Sequence, residues 1–233
     1  MKKITIFMCV IFMALALNAQ EKKMFIHQKG GGVAEYTVAN VDSITFGVSD
    51  TEQGVWINGV CWATRNVNKH GFFTAKPLDF GMLYGWNKKL GWSTTDPIFN
   101  SNNEHTWKPY TYPPPDCYSW ENSNNPCPAG WRVPTKEEFD NFISAAWVEE
   151  KVIDGIYVQV FSFGGQNLFL PNAGYRNGTT GVLNSVNWSA YYWSGTAYPE
   201  SDQAYHVNFQ IVSGPDTQLE DKKFHYPVRC VKE

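Results

Sequence analysis

The stretch NPCPAGWRVPTKEEFDNFISAAW, residues 125–147, decides the fold, because it joins a cysteine and a Pro-Gly turn directly to an amphipathic helix. Thr135 and Glu138 form a T-x-x-E capping box, in which each side chain can bond a backbone amide freed at the helix start. Apolar residues then follow at helical spacing on one face, namely Phe139, Phe142, Ile143, Ala146 and Trp147. The sequence therefore predicts a helix from about Lys136 to Trp147.

Short β-strands are predicted on either side of this helix. Residues 55–67, VWINGVCWATRNV, alternate in polarity around Asn58-Gly59, a pair that suits a type I′ hairpin turn. After the helix, five segments separated by Gly, Asn and Pro have strand character: GIYVQVF, NLFLPNAGYRN, YYWSGT, AYHVNFQIV and YPVRCVKE. The segment after Pro77 predicts a short helix, which Gly81 weakens. One main helix with several antiparallel strands predicts an α+β fold.

A long irregular loop is predicted over residues 91–126. This segment is rich in Ser, Thr, Asn, Pro and aromatic residues, with YTYPPPDCYSW at its centre. Long ordered loops in compact domains often carry function, so we expect a ligand to meet the protein here.

The chain begins with the pattern of a signal peptide. Lys2 and Lys3 precede an apolar run from Ile4 to Leu17, and Ala19 provides a small residue for cleavage. The run is shorter than the roughly 20 apolar residues of a membrane span. We therefore expect residues 1–19 to be removed, leaving no integral span, and the mature chain to be exported to the outer cell surface, the extracellular space or the periplasm.

Two further parts are predicted in the mature chain. Residues 20–50 comprise a small β-hairpin module and a linker: Met24–His27 and Val33–Val38 have strand character, and GVSDTEQG is polar. This module resembles a leader found ahead of many exported Bacteroidetes proteins. Residues 51–233 contain no further boundary and are predicted to form one domain.

Export would place the cysteines in an oxidising compartment. Cys9 leaves with the signal peptide, and the four that remain, at positions 61, 117, 127 and 230, allow three pairings. No two of them form a C-x-x-C motif, and no histidine lies at ligand spacing from them. Disulfides are therefore expected, and no metal or other cofactor is predicted.

The charge of the mature chain argues against nucleic acid as a partner. Removing Lys2 and Lys3 from the 19 basic residues leaves 17 against 22 acidic residues, a net charge of −5. No run of Lys or Arg interrupts this balance, and nucleic-acid binding needs a basic surface.

Five motifs, in order, resemble a known family. WATRNV, NPCPAGWRVPTKEEF, LFLPNAGYRNGTTGVLN, YYWSGT and the terminal VRCVKE are similar to those of the Fibrobacter succinogenes major paralogous domain. That family of exported proteins has a C-type lectin-like fold, in the branch related to formylglycine-generating enzymes. The resemblance covers roughly residues 55–232 and implies that the domain ends meet and that long loops form one face. Arg176 and Arg229 are expected to tie loops together as buried or half-buried guanidinium groups.

The resemblance also implies that Cys127 pairs with Cys230 on the last strand. Closing a loop of about 100 residues would stabilise the fold by up to roughly 4.7 kcal/mol. Cys61 would then pair with Cys117 by elimination. The alternative is that both are free, because the family does not usually carry cysteine at these two positions.

The leading functional hypothesis is a non-enzymatic binding or adhesion module. Lectin-like folds bind sugars or proteins through the long-loop face, where aromatic rings supply contact area. The candidate contacts are Trp107, Tyr110, Tyr112, Trp188 and Tyr198, and the partner is a glycan or a surface protein. The Glu-Pro-Asn and Trp-Asn-Asp motifs of calcium-dependent sugar binding are missing, so calcium is not predicted.

Two alternatives remain open. A structural surface-assembly protein could use the strand EYTV, residues 35–38, to extend a partner's sheet. An enzyme like the formylglycine-generating proteins would need two nearby cysteines close to the carboxyl end, where Cys230 stands alone. The five histidines are scattered and accompany no hydrolase motif, so no catalytic residue is assigned and no enzymatic activity is expected.

Overall fold

The computed structural model describes residues 22–27, 33–40, 54–210 and 214–233. The chain divides into two compact units after Gly47. In the first unit, strands β1 (Lys23–His27) and β2 (Val33–Thr37) pair antiparallel, and a 3-10 turn follows at Val38–Asn40. The two predicted strands are thus present. The predicted signal peptide, the hairpin turn and most of the linker lie outside the described residues.

The second unit contains one α-helix and sixteen strands among its described residues. The helix α1 is Lys136–Ala145, and a 3-10 turn lies at Asn122–Asn124. The strands before α1 are β3 (Gly54–Ile57), β4 (Val60–Lys69), β5 (Phe72–Phe73), β6 (Leu83–Gly85), β7 (Gly91–Trp92) and β8 (Trp131–Arg132). The strands after α1 are β9 (Trp147–Ile153), β10 (Ile156–Phe163), β11 (Gln166–Pro171), β12 (Tyr175–Arg176), β13 (Leu183–Asn184), β14 (Ala190–Ala197), β15 (Gln203–Gln210), β16 (Gly214–Asp221), β17 (His225–Pro227) and β18 (Arg229–Lys232).

These strands form four small antiparallel sheets, which with the single helix make an α+β fold. Their orders are β3-β4-β18-β8 with β5 also paired to β4, β13-β12-β17-β6-β7, β11-β10-β9 and β14-β15-β16. The last strand, β18, lies between β4 and β8, so the end of the chain is paired with the start of the domain. The predicted type I′ turn is confirmed, because Asn58 and Gly59 both have positive φ, 47° and 81°.

The start of α1 is as predicted, but its end is not. The Thr135 side chain accepts from the backbone amide of Glu138, and the Glu138 carboxylate accepts from the amide of Thr135, which completes the capping box. The helix stops at Ala145, and Trp147 instead begins β9 with 74% of its surface exposed. The prediction that Trp147 belongs to the buried helical face was wrong, because pairing of β9 with β10 takes this residue out of the helix.

Three buried clusters form the core of the described residues, and each contains large aromatic side chains. The first joins α1 to the sheets: Phe142 lies with its ring centroid 4.5 Å from that of Trp62 and 4.3 Å from that of Phe161. The second surrounds Trp131 and the disulfide. The third packs Trp193 against Tyr226, with centroids 4.6 Å apart.

Cys127 and Cys230 form a disulfide with Cα atoms 6.1 Å apart, as expected. The expected pairing of Cys61 with Cys117 was wrong: both are buried thiols without a disulfide partner among the described residues. They belong to different clusters, Cys61 to that of the disulfide and Cys117 to that of Trp193. Burial raises the pKa of both thiols, which keeps them protonated.

None of the helices in the described part of the chain combines the length and the apolar character that a membrane span requires.

Candidate functional site

Three of the five predicted aromatic contacts meet in one cluster around His225. The ring of Trp107 lies 5.0 Å from that of His225 and 4.5 Å from that of Trp92, measured between centroids. Tyr110 contacts His225 edge-on at 6.0 Å, and Tyr112 contacts Tyr110 edge-on at 5.2 Å. The loop that carries these rings is therefore packed against β17.

Most of this aromatic surface is used for packing. The hydroxyl of Tyr110 donates to the backbone oxygen of Trp86 at 2.7 Å. Gly181 lies against Trp107, and a Cβ at this position would be 2.6 Å from the indole. Tyr112 is 39% exposed, and its hydroxyl donates to Asp221 at 2.8 Å. Of the three rings, Tyr112 presents the most surface for a ligand.

Trp188 and Tyr198, the other two predicted contacts, lie apart from this cluster. Trp188 is 68% exposed, and its backbone oxygen accepts from Asn172. Tyr198 is 45% exposed and contacts Tyr205 edge-on at 6.4 Å. No ring contact among the described residues joins either of them to Tyr112, so the structure does not assemble the five residues into a single aromatic face.

A cleft of 1130 Å³ lies among the described residues, and the sequence did not predict it. Its walls come from three separate segments: residues 74–82, residues 93–103, and the turn between β9 and β10 at residues 153–156. Phe169 of β11 also lines it. Residues 77–82, for which a short helix was predicted, form an irregular wall instead, because the Asp79 amide closes a turn on the Lys76 oxygen and the Met82 amide donates to Val67 of β4.

The residue types in the cleft suit a ligand with both apolar and hydroxyl groups. Apolar side chains line much of it, namely Pro77, Leu78, Phe80, Met82, Phe99, Ile153, Ile156 and Phe169. Polar side chains lie among them, including Thr74, Ser93, Thr94, Thr95, Ser101 and Asn103. Apolar walls with a few placed polar groups are typical of sites that bind small molecules or short segments of larger ones.

Hydrogen bonds to the core hold the first wall in place. The side-chain amide of Asn66 on β4 donates to the backbone oxygen of Phe80 at 2.9 Å, and the Met82 amide donates to the oxygen of Val67 at 3.0 Å. Gly81 has φ +73°, and a Cβ there would be 2.4 Å from the oxygen of Val67. Only glycine fits this position without moving the wall.

Two buried arginines support the cleft from behind, as predicted for both. Arg229 donates to Asn66 Oδ1 at 3.0 Å and to the backbone oxygen of Phe169 at 2.8 Å, and burial lowers its pKa to about 10. Arg176 donates to the backbone oxygens of Ser93 and Thr95 at 2.7 and 2.6 Å. Each guanidinium group thus fixes a lining segment through several donors at once.

The charged side chains at the cleft are balanced in number. Lys69 and Lys76 are exposed on the walls, and Asp79 and Asp154 oppose them in charge. The Asp79 carboxylate accepts from the backbone amide of Lys76 at 2.9 Å, so its role in the structure is to close the turn of the wall. The cleft therefore carries no strong preference for one sign of charge.

Two buried histidines lie in the aromatic core and not in the cleft. Burial lowers the pKa of His206 to about 4 and that of His225 to about 3, so both are neutral at pH 7. The Nδ1 atoms of both lack a hydrogen-bond partner. The described residues include no group of three His, Cys, Asp or Glu side chains placed to hold a metal ion.

Sequence reasoning missed the cleft because its lining residues are up to 101 positions apart in the chain, from Asn68 to Phe169. A local signal did exist in KPLDFGM, residues 76–82, where proline, aspartate and glycine interrupt an apolar segment. Such a segment indicates an ordered turn, but not what the turn faces.

Comparison of the chain with protein-family models, with curated proteins and with solved structures gave no match.

Proposed function

We propose that this protein is an exported, non-enzymatic binding module of the C-type lectin-like class, and that its ligand binds in the cleft of residues 74–82, 93–103 and 153–156. The observation that carries the proposal is the cleft itself, with its 1130 Å³ volume and its mixed apolar and hydroxyl lining. The volume slightly exceeds the roughly 300–1,000 Å³ of most small-molecule sites. It would accommodate a few sugar units or a short peptide.

Rigid walls favour binding over packing as the role of this cleft. The backbone oxygens of Phe80, Ser93, Thr95 and Phe169 all accept hydrogen bonds from buried side chains behind the walls. A cleft that is already formed costs less ordering on association than one that must be assembled. The buried arginines therefore support a binding role.

The C-type lectin-like assignment is supported by the path of the chain. The last strand β18 pairs with β4, and the disulfide links β18 to the segment before α1, so both ends of the domain are held together. The long irregular segment between β7 and β8 supplies one wall of the cleft. Export is supported by the same disulfide, which is stable in an oxidising compartment.

An array of glycans and surface proteins, probed with the purified protein, tests this function. Ala75 is exposed on the cleft wall, so Ala75→Trp should fill the cleft and abolish binding. Asn141→Trp, on the exposed side of α1, is the matched control and should bind normally. Loss of binding with Tyr112→Ala but not with Ala75→Trp would place the ligand on the aromatic loop and refute the cleft.

A structural role in assembly is the second candidate, and it concerns the first unit. In the described residues, β1 and β2 form a sheet of only two strands, so each has an edge open to another strand. If this role is correct, deletion of residues 20–50 should convert an oligomer into a monomer in size-exclusion chromatography. If the intact protein already elutes as a monomer, the assembly role is wrong.

A further inference from the structure

A second, smaller pocket lies beside the aromatic cluster and differs from the cleft in charge. Its volume is 260 Å³. Three lysines line it, Lys88, Lys89 and Lys108, together with Trp92, Tyr110 and His225. The cleft balances two lysines against two aspartates, whereas no Asp or Glu lines this pocket.

Two of the three ammonium groups have no carboxylate to pair with. Lys108 forms an ion pair with Glu104, four residues earlier in the chain. In the described residues, no carboxylate lies at salt-bridge distance from Lys88 or Lys89. The pocket thus holds positive charge that the protein itself does not neutralise.

Lys88 is the more constrained of the two. It is half-buried, and its Nζ lies over the ring of Tyr110, 5.2 Å from the centroid. Burial lowers the pKa of Lys88, which means that its charged form is less well solvated here than in water. A bound anion would compensate for this lost solvation.

Glu121 is the carboxylate whose charge acts to raise the pKa of Lys88, but its oxygens are already hydrogen-bonded to other side chains. Glu121 accepts hydrogen bonds from the side-chain amides of Asn87 and Asn124 at 3.3 and 3.0 Å. With Glu104 bound to Lys108, Lys88 and Lys89 are the two lysines of the pocket that have no paired carboxylate. The lining of the pocket is therefore basic, although the whole chain is acidic.

We propose that this pocket binds the carboxylate or sulfate group of an acidic sugar unit, with Lys88 and Lys89 holding the anion. The pocket volume suits a single sugar ring, and the half-buried side chains of Leu90 and Tyr110 offer contact to its C–H groups. This site is separate from the cleft and does not depend on the function proposed for it.

The test compares three hexasaccharides by isothermal titration calorimetry on the full-length mature protein. Chondroitin sulfate carries carboxylates and sulfates, unsulfated chondroitin carries carboxylates only, and chitohexaose is neutral. We expect one or both acidic sugars to bind and chitohexaose not to bind. Lys89→Gln and Lys88→Gln should each weaken binding by about tenfold, since each removes a charge-assisted contact.

Lys151→Gln is the matched control, because it makes the same change of net charge at an exposed ion pair with Glu149 on β9. It should leave the affinity unchanged, as should Ala75→Trp in the cleft. Because Lys89 is exposed, its variant is expected to fold even if Lys88→Gln does not.

Four results would overturn the proposal. Equal binding of chitohexaose and the acidic sugars would show that the anion is not recognised. Equal losses with Lys89→Gln and Lys151→Gln would show only general attraction of charge. Full competition by an equal concentration of inorganic sulfate would show that the sugar contributes nothing, and an absence of binding to all three probes would also refute the proposal.

Discussion

Asn66→Ala should destabilise the protein strongly and loosen the cleft, because this one buried amide connects the core to the cleft wall. Its Oδ1 accepts from Arg229 at 3.0 Å, and its Nδ2 donates to the backbone oxygen of Phe80 at 2.9 Å and to the hydroxyl of Tyr192 at 3.1 Å. Alanine removes all three bonds at a position with no solvent access. A bond to a charged group contributes about 1.5–3 kcal/mol and a neutral one about 0.5–1.5 kcal/mol. The free energy of unfolding should therefore fall by about 2.5–6 kcal/mol.

Asn66→Asp separates the bond to Arg229 from the two bonds to Phe80 and Tyr192. Aspartate keeps an acceptor for Arg229 but cannot donate to Phe80 or Tyr192 when ionised. The two lost neutral bonds account for about 1–3 kcal/mol of unfolding free energy, and the buried carboxylate oxygen adds to this loss because it faces the backbone oxygen of Phe80.

Urea denaturation measures the stability of both variants, and hydrogen–deuterium exchange measures the cleft wall. Exchange of the amides in residues 76–82 should be faster in both variants, since both lose the bond to Phe80. A loss below about 1 kcal/mol for Asn66→Ala would contradict the assigned hydrogen bonds. Unchanged exchange in residues 76–82 would show that Asn66 does not hold the wall.

Three further predictions concern the covalent link, the wall and the buried imidazoles. Replacing Cys127 and Cys230 by alanine should lower the free energy of unfolding by up to about 4.7 kcal/mol, measured by urea denaturation. An unchanged urea midpoint would contradict the stabilising role of the disulfide. Gly81→Ala should destabilise the protein by more than about 1 kcal/mol in urea denaturation, whereas the same change at a permissive site would stabilise it, and a neutral result would show that the wall can move freely. His206 and His225 have pKa values below that of an unfolded histidine, so the unfolded chain binds more protons than the folded one as the pH falls. Their contribution to stability is full above pH 6.5 and is lost as the pH falls towards 4. The free energy of unfolding should fall by about 1.4 kcal/mol per pH unit for each histidine. Denaturation at pH 7.5 and 5 should show this loss, and equal stability at the two values would contradict it.

The two proposed binding sites favour ligands with different chemical properties. The cleft offers area and hydroxyl groups with balanced charge, and the lysine pocket offers positive charge next to aromatic edges. A polymer of acidic and neutral sugars could use both properties, but each site is tested by its own variant. Ala75→Trp addresses the cleft, and Lys89→Gln addresses the pocket.

The predicted aromatic face shows where sequence reasoning reached its limit. The composition of residues 91–126 correctly indicated an ordered loop rich in rings, and Trp107, Tyr110 and Tyr112 do form one cluster. The composition could not reveal that Tyr110 bonds to Trp86 or that Trp107 lies against Gly181. A ring that packs and a ring that binds have the same residue type, and only their neighbours distinguish them.

The sequence by itself determined the local elements of this protein. The capping box of Thr135 and Glu138 and the type I′ turn at Asn58-Gly59 are set by residues a few positions apart, so their patterns predict them directly. The tertiary structure alone decided the end of α1, the separation of Cys61 from Cys117, and the cleft. Each of these depends on which distant segments come together when buried area and hydrogen bonds are satisfied over the whole domain, and no short window of sequence contains that information.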